Sequence, residues 1–522
     1  MITISLNEAN FEYDIHSLVK SFFPKEEVKV SADKGRLQKL EEEETPFLRM
    51  EITYRRPEEG EPVEVPLDGS GAHRGSPGEI GILLYGGEAD ASPIAQETVL
   101  VDFMDRKGTK DRLKRCLYQM LSQYTGQKLP WGTLTGIRPT KIPTSLFGRG
   151  IGEDEIREYM ADTYLATEAK INLSIEIAKQ EIKLLRGVDY KDGYSLYIGI
   201  PFCPSICSYC SFSSSPIGLW EGRVEAYLEA LGKELDFTSK ACRDKKLNSV
   251  YIGGGTPTTL SPNQLDWLLT KVESKFNLSN LVEYTVEAGR PDSITKEKLK
   301  ALRSHGISRI SINPQTMKQE TLDIIGRRHT VAQVIESFWL AREMGFGNIN
   351  MDLIVGLPGE RAEDVADTLR QIEELSPDSL TVHSLAIKRA AKLKMFAEDY
   401  AGFTMESSWE QMDMASHCAK SLGMLPYYLY RQKNMAGNFE NVGYARPGKA
   451  GIYNILMMEE KQSILAVGAG AATKYVFASG EAGEVRVERT ENVKDITHYI
   501  TRVEEMITRK REGLRKHLGW DV

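Results

Sequence analysis

Six short apolar segments between Ser195 and Val382 constrain the fold of this chain more than any other feature of its sequence. They have the length of buried strands, and they are Ser195–Ile200, Ser249–Ile252, Tyr284–Glu287, Arg309–Ile312, Asn350–Val355 and Ser379–Val382. The segments between them have the spacing of amphipathic helices, as in the series Val224, Tyr227, Leu228, Leu231 and Leu235. Strands that alternate with helices favour parallel pairing through right-handed crossovers. The sequence therefore predicts an α/β fold built on an open or partial (β/α)6 barrel.

The remaining sequence indicates two further regions. The chain has 522 residues, which is too long for one ordinary domain. The alternation of apolar and polar residues in Leu48–Tyr54 is typical of a half-buried strand. We expect an N-terminal α+β domain of unassigned role over residues 1–190, the barrel over 191–402, and a mixed C-terminal region over 403–522.

Charge and cysteine content limit the classes of function. The formal net charge of −8 does not favour a nucleic-acid or an anionic-membrane partner. Residues 1–15 have neither the basic start nor the apolar run of a signal peptide, and no apolar stretch is long enough to span a bilayer. We therefore expect a cytoplasmic protein, in which six cysteines do not indicate a disulfide framework.

Three of the six cysteines lie within eight residues, as Cys203, Cys207 and Cys210 in a C-x3-C-x2-C pattern. A structural zinc site usually takes four protein ligands, so zinc here would need a His or Asp from elsewhere in the chain. Three thiolates on one loop suit three corners of a [4Fe–4S] cubane and leave the fourth iron open. An open iron can chelate the amino and carboxylate groups of S-adenosylmethionine (SAM), and electron transfer then cleaves the sulfonium to give a 5′-deoxyadenosyl radical. We favour the cluster over zinc.

Polar or glycine-rich residues lie at the ends of four later predicted strands. Because chemistry in a β/α barrel gathers at the carboxyl ends of the strands, we expect these residues to share one rim with the cysteine loop. They are Gly253–Thr258 after the second strand, Glu287 at the end of the third, Gln315 after the fourth, and Asp352 in the fifth, before Gly356–Pro358. The bare backbone of the glycine run can approach a ligand closely. The rim offers hydrogen-bonding partners for the ribose hydroxyls and the methionyl amino group of SAM.

One cation and one imidazole stand out in the segment Ile325–His329, between the fourth and fifth strands. Arg327 can pair with a carboxylate. His329 has two interpretations, a ligand contact or a structural hydrogen bond, and the sequence leaves both open.

These motifs resemble those of the radical SAM family of oxygen-independent coproporphyrinogen III oxidases, and within it the HemZ-type coproporphyrinogen dehydrogenases. The resemblance covers about Tyr194 to Thr473, and its specific elements are YIGIPFCPSICSYCSF, YIGGGTPTTL, EYTVEAGRPD, RISINPQTM, IGRRH and DLIVGLPGE. The stretch Tyr427–Ile455 is similar to the HemZ branch in particular. The resemblance implies a radical SAM barrel that carries a [4Fe–4S] cluster and one or two SAM molecules.

The resemblance also implies roles for individual residues. It makes the three cysteines and Glu287 catalytic, and it gives the cluster-bound SAM contacts from Tyr197, Gly254 and Glu287. It gives a second SAM contacts from Tyr209, Gly255, Thr256, Gln315, Arg327 and Asp352. The implied reaction in heme biosynthesis is oxidative decarboxylation of two propionates of coproporphyrinogen III to the vinyl groups of protoporphyrinogen IX. The implied partners are a tetrapyrrole, a low-potential electron donor such as flavodoxin or ferredoxin, and an electron acceptor that the sequence does not identify.

Two positions depart from the pattern of the well-characterised oxidases. Those oxidases have a further cysteine two positions after the third ligand, where this chain has Phe212. They also have a histidine two positions after the motif tyrosine, where this chain has Gly199. Neither is a cluster ligand, so cluster chemistry is expected to persist, but Gly199 cannot donate or shuttle a proton. A substrate with four carboxylates needs cationic anchors, and the candidates are Arg431, Lys433 and Arg446.

Two other functions compete with the dehydrogenase. A heme chaperone of the same fold typically carries a His-Asn-x-x-Tyr-Trp motif late in the chain. This sequence lacks that string and has no tryptophan between Trp409 and Trp520. A radical SAM methyltransferase that acts on heme, for example in anaerobic heme breakdown, would form S-adenosylhomocysteine, whereas the dehydrogenase forms methionine and 5′-deoxyadenosine. By family analogy, the sequence favours the dehydrogenase.

Overall fold

A computed structural model describes residues 1–56, 63–67, 70–87, 92–136, 138–387, 391–400, 402–405, 407–432, 439–479 and 484–522 of the chain. The chain divides into two compact units. The first comprises Met1–Ile175 and Arg431–Phe439, and the second comprises Glu176–Tyr430 and Glu440–Val522. The expected domain boundaries near residues 190 and 402 stay a prediction.

The first unit has an α+β structure. Its elements are β1 (Ile2–Leu6), α1 (Glu12–Phe22), β2 (Val28–Ser31), α2 (Lys34–Glu43), β3 (Leu48–Arg55), β4 (Val63–Leu67), β5 (Ser70–Gly75), β6 (Pro77–Gly86), β7 (Ala95–Asp102), α3 (Arg106–Thr125), α4 (Lys141–Gly148), α5 (Glu153–Tyr164) and the first part of α6 (Glu168–Leu185). Five strands form a sheet in the order β2-β1-β3-β6-β7, and β4 pairs with β5. In β3 every second residue from Leu48 to Tyr54 is buried, which confirms the predicted alternation. These side chains join a hydrophobic core with apolar residues of α1 and α3.

The second unit contains the predicted alternation of strands and helices. Its elements up to residue 384 are the rest of α6, β8 (Gly193–Ile200), β9 (Phe202–Cys203), β10 (Ser215–Pro216), α7 (Val224–Ala241), β11 (Lys246–Gly254), α8 (Pro262–Lys275), β12 (Glu283–Glu287), α9 (Lys296–Ser304), β13 (Arg309–Ser311), α10 (Gln319–Ile324), α11 (Val331–Glu343), β14 (Ile349–Val355), α12 (Ala362–Leu375) and β15 (Ser379–Ser384). The six long strands lie side by side in the order β8-β11-β12-β13-β14-β15, and every neighbouring pair is parallel. This confirms the α/β fold and its (β/α)6 arrangement.

The helices follow from local sequence as well as from burial. In α7 the five predicted positions from Val224 to Leu235 are all buried, which confirms the amphipathic pattern. α8 begins with a capping box, because Ser261 and Gln264 exchange side-chain and main-chain hydrogen bonds around Pro262. In the described part of the chain, no helix is both long and apolar enough to cross a membrane.

The C-terminal region, predicted as mixed, extends the same sheet. Its elements are α13 (Lys392–Met395), α14 (Trp409–Ser421), β16 (Leu425–Tyr430), β17 (Asn441–Ala445), α15 (Ile452–Met458), β18 (Ser463–Val467), β19 (Ala472–Ser479), β20 (Glu484–Glu491), α16 (Ile496–Thr501) and α17 (Val503–Gly513). At one edge, β17 pairs antiparallel with β15 and then with β16. At the other edge, β18 pairs parallel with β8, and antiparallel β19 and β20 follow. The complete sheet therefore has eleven strands.

Strand register defines which side chains share a face of this sheet. Tyr197 lies opposite Tyr251, Tyr251 opposite Thr285, and Thr285 opposite Arg309. Because side chains alternate between faces, Glu287 lies two positions further along the same face as Thr285. We call the face that bears Tyr197, Tyr251 and Glu287 the site face.

Candidate functional site

The carboxyl ends of the parallel strands bring most of the predicted site residues to one rim. β8 ends at Ile200 and leads into the cysteine loop, while β11 ends at Gly254 and β12 at Glu287. β14 carries Asp352, and Gln315 forms an isolated parallel bridge with the residue that follows Asp352. Since parallel strands point the same way, these ends share one edge of the sheet, as the strand-end argument predicts.

The cysteine loop is fixed by main-chain hydrogen bonds. Cys203 ends β9, a short strand that pairs with β10 just after the loop. The N–H of Cys210 donates to the carbonyl of Cys207 at 3.2 Å and closes a turn between them. The N–H of Ser208 donates to the carbonyl of Ile325 at 2.9 Å, so a second rim segment contacts the loop. The three cysteines are thus held on an ordered scaffold.

The thiols of the cysteine loop need a nearby cation before they can ionise. Burial raises the pKa of Cys203 and raises that of Cys210 to about 11, while Thr256 Oγ1 lies 3.6 Å from Cys203 Sγ. Three thiolates in so buried a loop need a cation, and metal binding supplies one as the thiols release their protons. Among the described residues, no group of three or more His, Cys, Asp or Glu side chains is arranged to hold one metal ion. A cubane does not need such a group, because each thiolate binds a different iron.

A guanidinium group that the sequence analysis did not single out lies beside the same loop. Arg290 is 4% exposed, and its Nη1 lies 3.5 Å from Cys207 Sγ, to which it donates. Its Nε and Nη2 donate to the two carboxylate oxygens of Asp292 at 2.9 and 2.7 Å. Its position in the motif EYTVEAGRPD, three residues after Glu287 at the end of β12, is the feature of the sequence that could have indicated it. The rim therefore carries a buried cation at the cysteine loop.

The glycine run after β11 packs closely on the strand that leads to the cysteines. A Cβ on Gly255 would lie 2.5 Å from the carbonyl oxygen of Phe202, and a Cβ on Gly253 would lie 2.9 Å from the carboxylate of Glu287. Gly254 has a φ of 108°, a backbone conformation that residues with a side chain rarely adopt. Glycine at these positions allows close packing of the two strand ends and leaves room for the carboxylate.

Glu287 faces a group of tyrosines on the site face. Tyr251 OH donates to Glu287 Oε1 at 2.5 Å, and the Tyr251 ring stacks on that of Tyr453 with 4.4 Å between centroids. Tyr197 stacks beside both rings. Burial is the main cause that raises the pKa of Glu287 to about 7, the charge of Asp352 adds to the rise, and the hydrogen bond from Tyr251 opposes it. This carboxyl group can gain or lose a proton near neutrality, and a bound N–H donor would favour its charged form.

Asp352 has two polar neighbours on the same face. Asn350 Nδ2 donates to Asp352 Oδ1 at 2.7 Å, and His383 Nε2 lies 4.0 Å from Asp352 Oδ2. Burial lowers the pKa of His383 although Asp352 opposes that shift, so the imidazole is mostly neutral at pH 7. His383 was not among the predicted site residues, although its position just after the sixth predicted strand would have indicated it.

Gln315 holds a left-handed backbone conformation, with a φ of 70°. Few non-glycine residues adopt this conformation, and the surrounding contacts must compensate its cost. The Gln315 N–H donates to the carbonyl of Asp352 at 3.0 Å, and its own carbonyl accepts from the N–H of Ile354 at 2.9 Å. Within the described residues, three buried side-chain atoms here have no hydrogen-bond partner: Gln315 Oε1, Asn313 Oδ1 and Ser311 Oγ. Buried polar atoms normally have partners, so this part of the rim fits a polar ligand.

Arg327 connects three segments of the rim. Its Nη1 donates to Tyr209 OH at 2.9 Å, and its Nη2 donates to the carbonyls of Gly289 at 2.9 Å and Asn313 at 2.5 Å. Its Nε is buried and has no partner in the part of the chain that the structure describes. The structure thus brings Tyr209 and Arg327 together, and Nε is the atom through which Arg327 can bind a further acceptor.

His329 lies behind the rim. It is 1% exposed, and its Nδ1 lies 3.8 Å from Asp292 Oδ1, beyond hydrogen-bond distance. Burial, together with the charges of Arg327 and Arg290, lowers its pKa to about 3. The imidazole is therefore neutral and adds no charge to the cations around it.

Arg446, one of the three candidate substrate anchors, is placed away from the rim. Its Nε donates to the carbonyl of Leu422 at 3.0 Å and its Nη2 to Ser376 Oγ at 2.6 Å. It follows β17, whose last residue, Ala445, lies opposite the first residue of β15. The antiparallel strand carries Arg446 to the amino end of the parallel strands, a position that does not favour it as a substrate anchor.

The other two candidate anchors lie elsewhere in the chain. Arg431 belongs to the first unit, where it is buried. Its Nη1 donates to the carbonyl of Leu134 at 2.7 Å, and its guanidinium carbon lies 5.8 Å from the centroid of the Trp131 ring. Lys433 lies outside the described residues.

A cavity of about 230 Å³ opens beside the cysteine loop. Its lining includes Tyr197, Gly199, Phe212, Gly254 and Lys494. It therefore adjoins two of the residues predicted to contact SAM, and an exposed lysine borders it. Lys494 was not among the predicted site residues, because only the pairing of β18 with β8 brings this part of the C-terminal region to the rim.

Comparisons with known proteins found one matching superfamily model and several similar proteins. Residues 197–372 match the model of the radical SAM superfamily. HemZ of Bacillus subtilis (strain 168), named an oxygen-independent coproporphyrinogen-III oxidase-like protein, is 40% identical over 414 residues, covering 78% of this chain and 82% of HemZ. The heme chaperone HemW of Lactococcus lactis is 31% identical over 341 residues, covering 62% of this chain and 82% of HemW. The structure of the coproporphyrinogen III oxidase HemN from Escherichia coli matches with a TM-score of 0.47 at 23% identity, covering 62% of this chain and 72% of HemN.

The match to the superfamily model and the extended identity to HemZ settle the class of protein. The chain belongs to the radical SAM superfamily and, within it, to the family of HemZ and related coproporphyrinogen III oxidase-like proteins. This confirms the resemblance found in the motifs. A [4Fe–4S] cluster and SAM are the cofactors of this superfamily, which confirms the predicted cofactors.

Proposed function

We propose that this chain is a radical SAM enzyme of heme biosynthesis that converts coproporphyrinogen III to protoporphyrinogen IX without oxygen. The observation that carries the proposal is the 40% identity over 414 residues to HemZ, whose name describes it as coproporphyrinogen-III oxidase-like. The rim geometry supports it, since the buried and half-buried thiols and the unpartnered polar atoms suit a cluster and a polar cofactor. We expect the reaction to take place in the cytoplasm.

In the proposed reaction each of two propionates becomes a vinyl group. The propionate loses one β-hydrogen atom, one CO2 and one electron, and these account for all the atoms and charge removed. When bound, the reduced cluster and SAM supply the hydrogen-atom acceptor for this step. A low-potential donor such as flavodoxin or ferredoxin reduces the cluster, and an acceptor of unassigned identity takes the electron from the substrate.

The proposal gives the rim residues distinct tasks. Cys203, Cys207 and Cys210 hold the cluster. Tyr197, Gly254 and Glu287 bind the SAM on the open iron, and the carboxylate of Glu287 accepts a hydrogen bond from the amino group. A second SAM, where one binds, contacts Tyr209, Gly255, Thr256, Gln315, Arg327 and Asp352. Unpartnered atoms of Gln315 and Arg327 support this assignment.

A heme chaperone is the second candidate. The observation that favours it is the 31% identity to HemW of Lactococcus lactis and the 30% identity to HemW of Bacillus subtilis, each named a heme chaperone. Gly199 also favours it, because a glycine cannot supply the proton-transfer group that the oxidases carry at this position. A methyltransferase that acts on heme is the third candidate and differs in its products.

Anaerobic turnover distinguishes the three functions. The reconstituted protein is incubated with SAM, a low-potential reductant, coproporphyrinogen III and a cell extract as the source of electron acceptor, and the products are followed by mass spectrometry. If the chain is the dehydrogenase, coproporphyrinogen III should lose CO2 and two hydrogens in each of two successive steps. Each step should form one 5′-deoxyadenosine. S-adenosylhomocysteine with a methylated tetrapyrrole would indicate the methyltransferase. Stoichiometric heme binding with unchanged coproporphyrinogen would indicate the chaperone and would contradict the proposal.

A matched pair of cysteine variants tests the cluster ligands. Cys207→Ala should abolish both the cluster absorbance and SAM cleavage, because it removes one of the three thiolates. Cys242→Ala is the control, since this buried thiol at the end of α7 donates to the carbonyl of Thr238, within its own helix. SAM cleavage retained in Cys207→Ala would remove Cys207 from the ligand set.

A further inference from the structure

We propose that Arg290 is a positioning residue that sets the reduction potential of the iron–sulfur cluster through its hydrogen bond to Cys207. This inference rests on the cluster assignment of the proposed function, but it does not depend on which tetrapyrrole is the substrate. Arg290 lies three residues beyond Glu287, so the end of β12 brings it to the cysteine loop. The family resemblance assigns no role to Arg290.

The contact is direct and buried. Arg290 Nη1 donates to Cys207 Sγ at 3.5 Å and to the carbonyl of Ser205 at 3.3 Å, while its Nη2 donates to Ser205 Oγ at 3.1 Å. The guanidinium is 4% exposed and Cys207 is 8% exposed. An N–H···S bond in such a setting is screened little by water, so it acts strongly on the charge of the sulfur.

Asp292 fixes the orientation of the guanidinium. The carboxylate accepts from Nε at 2.9 Å and from Nη2 at 2.7 Å, which is a two-point arrangement. Both residues lie at the short turn Pro291–Ser293, where the N–H of Ser293 donates to the carbonyl of Arg290 at 2.9 Å. With two of its donors held by Asp292, the guanidinium presents Nη1 to the thiolate in a defined direction.

The charges around this contact leave a positive excess. Arg327 also acts on Asp292, and the imidazole of His329, which lies near the same carboxylate, is neutral. Two buried guanidinium groups thus face one carboxylate. Reduction adds one negative charge to the cluster, so a nearby cation and an N–H···S bond both stabilise the reduced form relative to the oxidised form. Arg290 should therefore make the cluster easier to reduce.

A purely structural role for Arg290 makes a different prediction. If the guanidinium only ties the loop through Ser205, its loss changes folding stability and cluster content but leaves the potential of an assembled cluster unchanged. The potential is therefore the deciding measurement.

The test is an anaerobic redox titration monitored by electron paramagnetic resonance, with iron and sulfide content measured on the same samples. Arg290→Met removes both the charge and the donor, and its midpoint potential should be more negative than that of the wild type. Arg290→Lys keeps the charge but loses the forked donors, so its midpoint should lie between the two. Arg370→Met is the control, because Arg370 is an exposed residue of α12 paired with Asp367 and Glu374, and its midpoint should match the wild type.

The outcomes separate the two levels of inference. An Arg290→Met protein with full iron content and an unchanged midpoint would overturn the role of Arg290. If Arg290→Met does not assemble a cluster, the Arg290→Lys variant is the deciding one. A midpoint potential of Arg290→Lys equal to that of the wild type would then overturn the role of Arg290. If the wild type itself assembles no cluster under conditions that load other radical SAM proteins, the cluster assignment of the proposed function fails and this inference falls with it.

Discussion

The raised pKa of Glu287 makes the affinity for SAM depend on pH in a direction that can be calculated. Burial raises this pKa to about 7, and an N–H donor from the SAM amino group would favour the charged carboxylate. With that pKa, about one tenth of the carboxyl groups are ionised at pH 6 and about nine tenths at pH 8. Ionisation of Glu287 should therefore contribute a factor of about ten to SAM affinity between pH 6 and pH 8, in addition to the dependence that the SAM amino group contributes as it loses its proton to chelate iron.

The assay is anaerobic equilibrium binding of SAM to the cluster-loaded protein across this pH range. Glu287→Gln should lose this factor of about ten, because its side chain does not titrate, and should keep only the dependence that the SAM amino group contributes. Calorimetry in two buffers of different ionisation enthalpy adds an independent check, since binding near pH 7 should release about half a proton more in the wild type than in Glu287→Gln.

Glu360→Gln is the matched control for this experiment. Burial also raises the pKa of Glu360 to about 7, but its Oε1 accepts from Thr316 Oγ1 at 2.5 Å and it belongs to none of the predicted SAM contacts. This variant should keep the wild-type pH dependence. A wild type whose affinity does not change between pH 6 and pH 8, or a Glu287→Gln protein that keeps the full change, would refute the assignment of Glu287 to the SAM amino group.

Three further predictions follow from named contacts. Tyr251→Phe removes the hydrogen bond that lowers the pKa of Glu287, so the midpoint of the pH dependence of SAM binding should move to higher pH, and an unchanged midpoint would contradict the argument. Lys510→Met leaves the fully buried Glu234 without its cation 2.6 Å away, and urea unfolding should show a loss of about 3–5 kcal/mol, whereas a loss below about 1 kcal/mol would show that the pair is not stabilising. Arg327→Ala should weaken SAM binding while iron content stays at the wild-type level, and wild-type affinity would remove Arg327 from the site.

The strands of the (β/α)6 sheet could be predicted because each is a local apolar run that ends in polar residues. β12 was expected at Tyr284–Glu287 and begins one residue earlier, while β13 ends one residue before the expected Ile312. These differences arise because the end of a strand depends on whether a neighbouring strand offers hydrogen bonds there, and the local sequence does not contain that information.

The two edges of the sheet could not be predicted for a related reason. Ser195 Oγ donates to Gln462 Oε1 at 2.9 Å, and the two residues are 267 positions apart. Such a contact depends on the pairing of β18 with β8, which no local periodicity indicates. The same holds for Arg446, whose position at the amino end of the parallel strands follows from the antiparallel direction of β17.

The site was partly predictable because the ends of parallel strands converge in space. The convergence of the strand ends predicts Glu287, Gln315 and Asp352 at the rim, but it does not determine where the atoms of a long side chain lie. Arg327 has the expected place, yet both of its Nη atoms donate to the protein. Arg290 has a donor beside Cys207, 83 positions away, and only the folded structure shows that contact.

The charges of the site are separated by sign, and this separation bears on where the proposed tetrapyrrole substrate would bind. The buried guanidinium groups of Arg290 and Arg327 lie at the cysteine loop, where thiolates and an added electron need positive charge. The carboxyl groups of Glu287 and Asp352 lie on the site face, where they can accept hydrogen bonds from the amino group and the ribose hydroxyls of a ligand such as SAM and favour its sulfonium. The same carboxylates repel a tetrapyrrole that carries four carboxylates. The anchors for those groups are therefore expected at the border of the site, where Lys494 lines the cavity beside the cysteine loop, rather than on the site face itself.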